Sequence, residues 1–125
     1  MSKAFPKNHR LPAEFEPQEA IWLSWPTNKE SCPKTYNKLQ DKFGRYELHT
    51  NDVWCRDHGP IFIKGNDTVK LAVTDWEFNA WGGKFPPFDL DNGIPAKAAS
   101  VLGLDRYSSN MILEGGAIET HGQAL

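Results

Sequence analysis

An α+β fold is predicted for this 125-residue chain from three observations. Two short apolar runs, Ile61-Phe62-Ile63 and Thr68 to Trp76, flank the turn residues Gly65-Asn66-Asp67, which is a β-hairpin pattern. An apolar helical face, Ile94, Ala98, Val101 and Leu102, runs up to Gly103, a helix stop. Short apolar runs and paired glycines then follow that helix. The length suits a single domain with one core.

Each element can be justified in order. Residues 1–19 carry Pro6, Pro12 and Pro17 with little periodicity, so they read as extended. Ala20 to Trp25, closed by Pro26, reads as a buried strand. Ser31 is placed to cap a helix and Pro33 fits its first turn. Tyr36, Leu39 and Phe43 share one face of it, lysines take the other, and Gly44 ends it. Tyr46 to His49 reads as a brief strand leading into the loop Asn51 to Pro60. After the hairpin, Phe78 to Phe88 is a long loop holding two glycines, two prolines and Trp81, and such loops are more often functional than short ones. Asp91 to Leu102 is the helix, Met111-Ile112-Leu113 a strand and Gly115-Gly116 a break. Ala117 to Thr120 is a further strand, and His121-Gly122 turns the chain. Gln123 to Leu125 then starts a returning strand. Because an unpaired edge costs stability, the sequence is expected to be the front part of something longer.

Composition excludes several classes. Fourteen Lys and Arg stand against 16 Asp and Glu, a net charge of −2, so no basic excess exists to bind nucleic acid through its phosphates. The acidity is concentrated after residue 50, where 6 basic and 10 acidic groups favour a cationic ligand. Mean hydropathy is −0.58 and no run approaches a membrane span. The N-terminus lacks the apolar stretch of a signal peptide, so a cytoplasmic location is expected. Cys32 and Cys55 show no Cys-x-x-Cys spacing, and neither a disulfide framework nor a metal centre is expected.

Three clusters carry chemistry. Asn51 to Pro60 packs Asp52, Trp54, Cys55, Arg56, Asp57 and His58 into ten residues. Trp54 and Asp57, three apart, can face one pocket from a tight turn. A carboxylate accepts a forked pair of hydrogen bonds from a guanidinium, while the flat cation stacks on an indole. The plainer reading pairs Arg56 with Asp52 or Asp57 to hold the loop, with Asp52 capping a turn. Cys55 beside His58 offers a thiolate and its base, but neighbouring positions in one loop rarely give that geometry, and a buried or incidental cysteine is the favoured reading. The second cluster, Asp75 to Lys84, contains Trp81-Gly82-Gly83, whose glycines let backbone pass near a ligand. In the third, Leu113-Glu114-Gly115-Gly116, a strand delivers a carboxylate to a glycine break.

These segments together resemble one family. Leu11 to Ala20 with Trp22-Leu23-Ser24-Trp25-Pro26, then Asn51 to Pro60, Phe78 to Lys84 and Leu113 to Gly116, are similar in content and order to agmatine deiminases, among them the bacterial peptidyl-arginine-deiminase-like proteins. The resemblance implies the pentein fold, an α/β propeller of five ββαβ-type modules around a guanidine site. Residues 1–125 would be the N-terminal part of that single domain, roughly its first two modules, the first of them shortened between Pro26 and Asn51. It implies hydrolysis of agmatine to N-carbamoylputrescine and ammonia, on the route to putrescine, with neither cofactor nor metal. By motif, Asp57 and Glu114 would be the acidic site residues, Asp57 gripping the guanidinium. Trp54 would line the pocket, and Trp81 and Gly82 would shape the substrate loop. The family's catalytic His-x-Asp segment and nucleophilic cysteine motif do not occur in these 125 residues. The chain is therefore expected to be inactive and poorly folded alone. The alternatives are a peptidyl- or free-arginine deiminase fragment and a non-catalytic guanidine-binding or interaction module.

Overall fold

A computed structural model of the chain describes residues 6–24, 48–66 and 70–123. Its centre is a four-stranded mixed sheet in the order β1-β2-β3-β4, built from β1 (His9–Arg10), β2 (Ile61–Gly65), β3 (Leu71–Glu77) and β4 (Asp105–Ile112). The expected hairpin forms as an antiparallel pair with Ile61 opposite Thr74 and Lys64 opposite Leu71. β1 adds antiparallel to β2, with His9 opposite Gly65. β4 runs parallel to β3, which requires a crossover, and the intervening helices supply it. The expected α+β class is therefore met by a mixed sheet with short helices.

β3 is covered on both faces. Ala72, Val73 and Thr74 are all buried, as fits a strand flanked by neighbours and roofed by a helix. The buried Thr74 hydroxyl is satisfied, donating to the Ile61 carbonyl at 3.3 Å and accepting from the Trp76 indole N–H at 3.0 Å. Arg106 and Asp75, 2.9 Å apart, form an ion pair between β3 and β4.

The helices are α1 (Cys55–His58), α2 (Ala80–Gly83), α3 (Asp89–Asn92) and α4 (Ile94–Leu102), followed by a 3-10 turn at Gly115–Ala117. The helix expected over Asp91 to Leu102 divides at Gly93. Pro95 sits in the first turn of α4, where its missing N–H costs nothing. α4 buries Ile94, Pro95, Ala98 and Ala99, whereas Val101, expected on that face, is exposed. The alanine pair forms the contact stripe and turns Val101 to its rim. The expected stop holds: Gly103 takes φ 65°, ψ 32°, and the Leu104 N–H closes on the Ala99 carbonyl at 2.9 Å.

Other expectations are corrected. Ala20 to Ser24 forms no strand, and Ile21 and Leu23 are 77% and 63% exposed because no described strand pairs with them. Trp22 alone of this run finds a ring, that of Phe62, at 6.1 Å. Leu48 and His49 are irregular, and the rest of the expected Tyr46 to His49 strand lies outside the described residues. The Ser31 to Phe43 helix, the shortening between Pro26 and Asn51, Trp25, and Ala124 and Leu125 of the expected returning strand fall outside the described residues in whole or in part, while Gln123, the first residue of that strand, is irregular. Ala117 to Thr120 lies in the 3-10 turn and in extended backbone with no ladder partner among the described residues. The strand expected at Met111 begins six residues earlier, at Asp105, where polar side chains hid it.

A clasp ties the leading segment to residue 122. Arg10 forks onto Glu16, with Nη2–Oε2 at 2.8 Å, and its Nη1 also donates to the Gly122 carbonyl at 2.8 Å. Glu16 additionally accepts the Ala13 N–H at 2.9 Å. The Arg10 hydrogen bonds, then that backbone bond, lower the Glu16 pKa from 4.5 to about 2. A carboxylate depressed in the folded state stabilises it fully above the unfolded value, and the contribution is lost as pH falls through the folded one. Stability is thus expected to decline as pH drops from about 4.5 towards about 2. In Glu16→Gln, urea titrations over that range should show a flatter decline; an unchanged slope would refute the clasp.

Candidate functional site

The loop from Asn51 is organised by backbone bonds before any ligand is considered. Trp54 stands at the N-cap of α1, and its carbonyl accepts the N–H groups of Asp57 at 2.9 Å and His58 at 3.2 Å. Trp54 and Asp57 therefore occupy one tight turn, and the segment expected as a plain loop forms a short helical turn there. The Asp52 carboxylate accepts the Val53 N–H at 2.7 Å, consistent with the turn-capping role expected of it. Arg56 pairs with neither Asp52 nor Asp57: it reaches Glu14 at 2.7 Å, a long-range partner that no local spacing reveals. The Cys55 thiol lies 3.6 Å from the Trp22 carbonyl, and both ring nitrogens of the buried His58 lack hydrogen-bond partners. The two therefore form no nucleophile–base pair. Among the described residues no group of three or more His, Cys, Asp or Glu gathers to hold a metal.

The second aromatic wall comes from the segment after β3. Four consecutive residues have positive φ: Ala80 at 50°, Trp81 at 55°, Gly82 at 80° and Gly83 at 77°. The Gly83 N–H bonds the Asn79 carbonyl at 2.7 Å and the Lys84 N–H bonds the Ala80 carbonyl at 3.0 Å, so α2 is one turn of left-handed character. For an L-residue with a Cβ this hand costs roughly 1–2 kcal/mol, which applies to Ala80 and Trp81. The Asn79 side chain offsets part of it by accepting the Gly82 N–H at 2.9 Å. Strain of this kind persists only where surrounding structure over-determines it, commonly at functional sites. Here it directs Trp81 onto Trp54, edge to face at 6.2 Å and 86°. Trp81 also meets Phe78 at 5.5 Å and Phe85 at 5.7 Å, and Phe78 meets His58 at 5.7 Å.

The third cluster is delivered by an irregularity in β4. Between the pairs Asp75–Ser108 and Glu77–Ile112, β4 holds two more residues than β3, and the ladder bulges. Bulges of this sort re-aim the chain that follows. The Leu113 N–H then bonds the Glu77 carbonyl at 3.1 Å, and Glu114 caps the 3-10 turn. At Gly115 the backbone packs so closely on α1 that a Cβ would lie 1.9 Å from the Arg56 carbonyl oxygen. Glu114 and Asp57 thus flank a direct backbone contact. Both are half-buried, and among the described residues neither carboxylate has a hydrogen-bond or ion-pair partner. An unpaired carboxylate can accept a forked pair of hydrogen bonds from a flat cation, and an exposed indole face can stack on one.

Separately, a pocket of about 1020 Å³ opens between the Leu11–Phe15 segment, α1 and residues 115–121. Cys55, Arg56, Glu119 and His121 help line it, while Trp54, Asp57, Trp81 and Glu114 do not. The candidate site residues therefore lie at the α1, α2 and 3-10 turns, whereas the concavity is lined by other residues of the same motifs, among them Cys55, Arg56, Gly59, Gly115 and Gly116. Asp91 and Asn92, which hold two of these segments, escaped sequence reasoning. Pro95 was the available signal: it puts the start of α4 at Ile94 and frees the preceding Asp-Asn pair for other partners.

Comparison with known proteins gives the class. The sequence profile of the Porphyromonas-type peptidyl-arginine deiminase family matches residues 43–125, and the chain belongs to that family. An Enterococcus faecalis relative named for agmatine deiminase is 30% identical over 152 residues, covering 91% of this chain and 41% of its own length. The solved agmatine deiminase of Enterococcus faecalis, described as catalysing its reaction, superposes with a TM-score of 0.79 at 28% identity. That match covers 93% of this chain and 42% of the other. A cysteine-to-serine C. jejuni agmatine deiminase with substrate bound is 38% identical over 62% of this chain and 23% of its own, at a TM-score of 0.54. The chain thus spans about two-fifths of the length of the curated relatives it matches. The 152-residue alignment exceeds the 125 residues of the chain, so the relative carries residues inside the matched span that this chain lacks.

Proposed function

We propose that this chain is the guanidinium-holding portion of an agmatine deiminase. Its family would hydrolyse agmatine to N-carbamoylputrescine and ammonia in the cytoplasm, on the way to putrescine, within a pentein propeller whose first modules these residues form. Asp57 grips the guanidinium nitrogens and Trp54 stacks beside them. Trp81, held by the Gly82 turn, closes the aromatic wall, and Glu114 supplies a second acid near the reacting carbon. The observations that support this reading are the edge-to-face Trp54–Trp81 pair, Asp57 in the same turn as Trp54, and Glu114 beside the Gly115 contact on that turn, both carboxylates without a partner among the described residues.

In the family's reaction a cysteine attacks the guanidinium carbon, ammonia leaves, a histidine shuttles the proton and water releases the product. This chain has neither the nucleophile's motif nor a His-x-Asp segment. Losing a covalent nucleophile and its acid–base partner removes many orders of magnitude in rate. Titration calorimetry should accordingly register agmatine binding, while an ammonia-release assay on the same preparation reads zero. Product above background, or no binding to folded protein, would overturn the reading.

The name of the matching family favours a second substrate, the guanidinium of arginine in a peptide. Both substrates present the same head to Asp57 and differ in the tail. Agmatine and an Nα-blocked arginine amide, titrated side by side, separate them: tighter binding of the amide selects the peptidyl reading.

A further inference from the structure

α3 holds both aromatic walls from two consecutive side chains. Asp91, 1% exposed, accepts through Oδ1 the N–H groups of Asn51 at 2.7 Å and Asp52 at 3.2 Å. The Asn51 side chain returns the contact, accepting the Leu90 N–H at 2.8 Å. At the other end of the same loop His58, 2% exposed, brings Nε2 to 3.9 Å from that Asp91 oxygen. The segment carrying Trp54 and Asp57 is thus held by Asp91 at its start and faced by it at its end. Asn92 works on the opposite wall. Its Oδ1 accepts the Phe78 N–H at 2.7 Å and its Nδ2 donates to Glu77 Oε2 at 2.7 Å, fixing the root of the turn that carries Trp81.

A buried carboxyl group is costly unless its lone pairs are used, and here they are used on a loop 39 and 40 residues away in sequence. Bonds within the helix would have satisfied α3 without reaching either wall. Phe78, edge to face with both His58 and Trp81, fills the space between the two clasped segments.

We infer that Asp91 and Asn92 are positioning residues that together set the Trp54–Trp81 geometry, Asp91 through residues 51–58 and Asn92 through Phe78. Neither touches the proposed substrate. The consequence for agmatine affinity rests on the function proposed above, whereas the consequence for the indole pair does not.

Circular dichroism of the full chain tests this. Perpendicular indoles at this separation give an exciton couplet, assigned by its loss in Trp81→Phe. Asp91→Ala and Asn92→Ala are each expected to lower the couplet by roughly half or more with the far-ultraviolet spectrum otherwise retained, and the double variant to lose little beyond the larger single effect, because both act on one geometry. Asp91→Asn keeps the Oδ1 acceptor and should keep the couplet. Should Asp91→Ala not fold, Asp91→Asn and Asn92→Ala decide. An intact couplet in folded Asn92→Ala, or a lost one in folded Asp91→Asn, overturns the inference. Agmatine titrations of the same single variants should show binding weaker by on the order of tenfold, the scale on which small misplacements act. Wild-type protein that keeps its couplet yet binds no agmatine would overturn the proposed function and leave the positioning result standing.

Discussion

Asp57→Ala is expected to abolish measurable agmatine binding while leaving the thermal unfolding of the chain unchanged. The carboxylate has no described partner, so its removal strands no neighbouring group, and the whole effect falls on the ligand. Removing one member of a hydrogen-bonded charge pair costs roughly 2–5 kcal/mol, which is about thirtyfold to several thousandfold in affinity. Asp57→Asn should fall between, since the amide still offers one acceptor without the charge. Titration calorimetry on the three proteins checks the order. Equal affinities would remove Asp57 from the site and transfer the cation to Glu114.

The second large effect is on stability. Gly115→Ala places a methyl group 1.9 Å from the Arg56 carbonyl oxygen, a contact that rigid backbone on both sides cannot relieve. The 3-10 turn must lift from α1, at an expected cost of about 3 kcal/mol or more. Gly116→Ala is the internal control, because nothing lies within 4 Å of its Cβ position. Urea midpoints should separate the neighbours clearly, and a similar midpoint for both would show that the close approach is not maintained in solution.

What the sequence disclosed follows the range of the interaction. The hairpin, the Gly103 stop and the Trp54–Asp57 turn are decided by residues within a few positions of one another, and all three could be read directly. β1 escaped because two residues carry no periodicity, and β4 because Arg106, Ser108 and Asn110 broke the apolar pattern along half its length. The helix predicted from Asp91 begins at Ile94, because the Asp91 carboxylate is engaged by the distant N–H groups of Asn51 and Asp52 and the chain divides at Gly93. The site divides in the same way. Its contact residues lie in three dense local clusters and drew notice by composition. The supports Asp91, Asn92 and Asn79 act across a turn or across forty residues, and apart from Pro95, which marks where α4 begins, nothing local shows which distant backbone groups they hold.

The left-handed turn has a consequence for how this surface can vary. Around Gly82 and Gly83 a Cβ would meet nothing within 4 Å, so by volume alone the positions are open to any residue. Their φ angles of 80° and 77° belong to the mirror-image half of conformational space, which ordinary amino acids enter only at a penalty. Selection at these positions therefore screens for stereochemistry rather than size. At Gly82 and Gly83 the backbone disfavours encoded side chains without any neighbour to exclude them, and a D-amino acid would suit those two positions better than any L-residue.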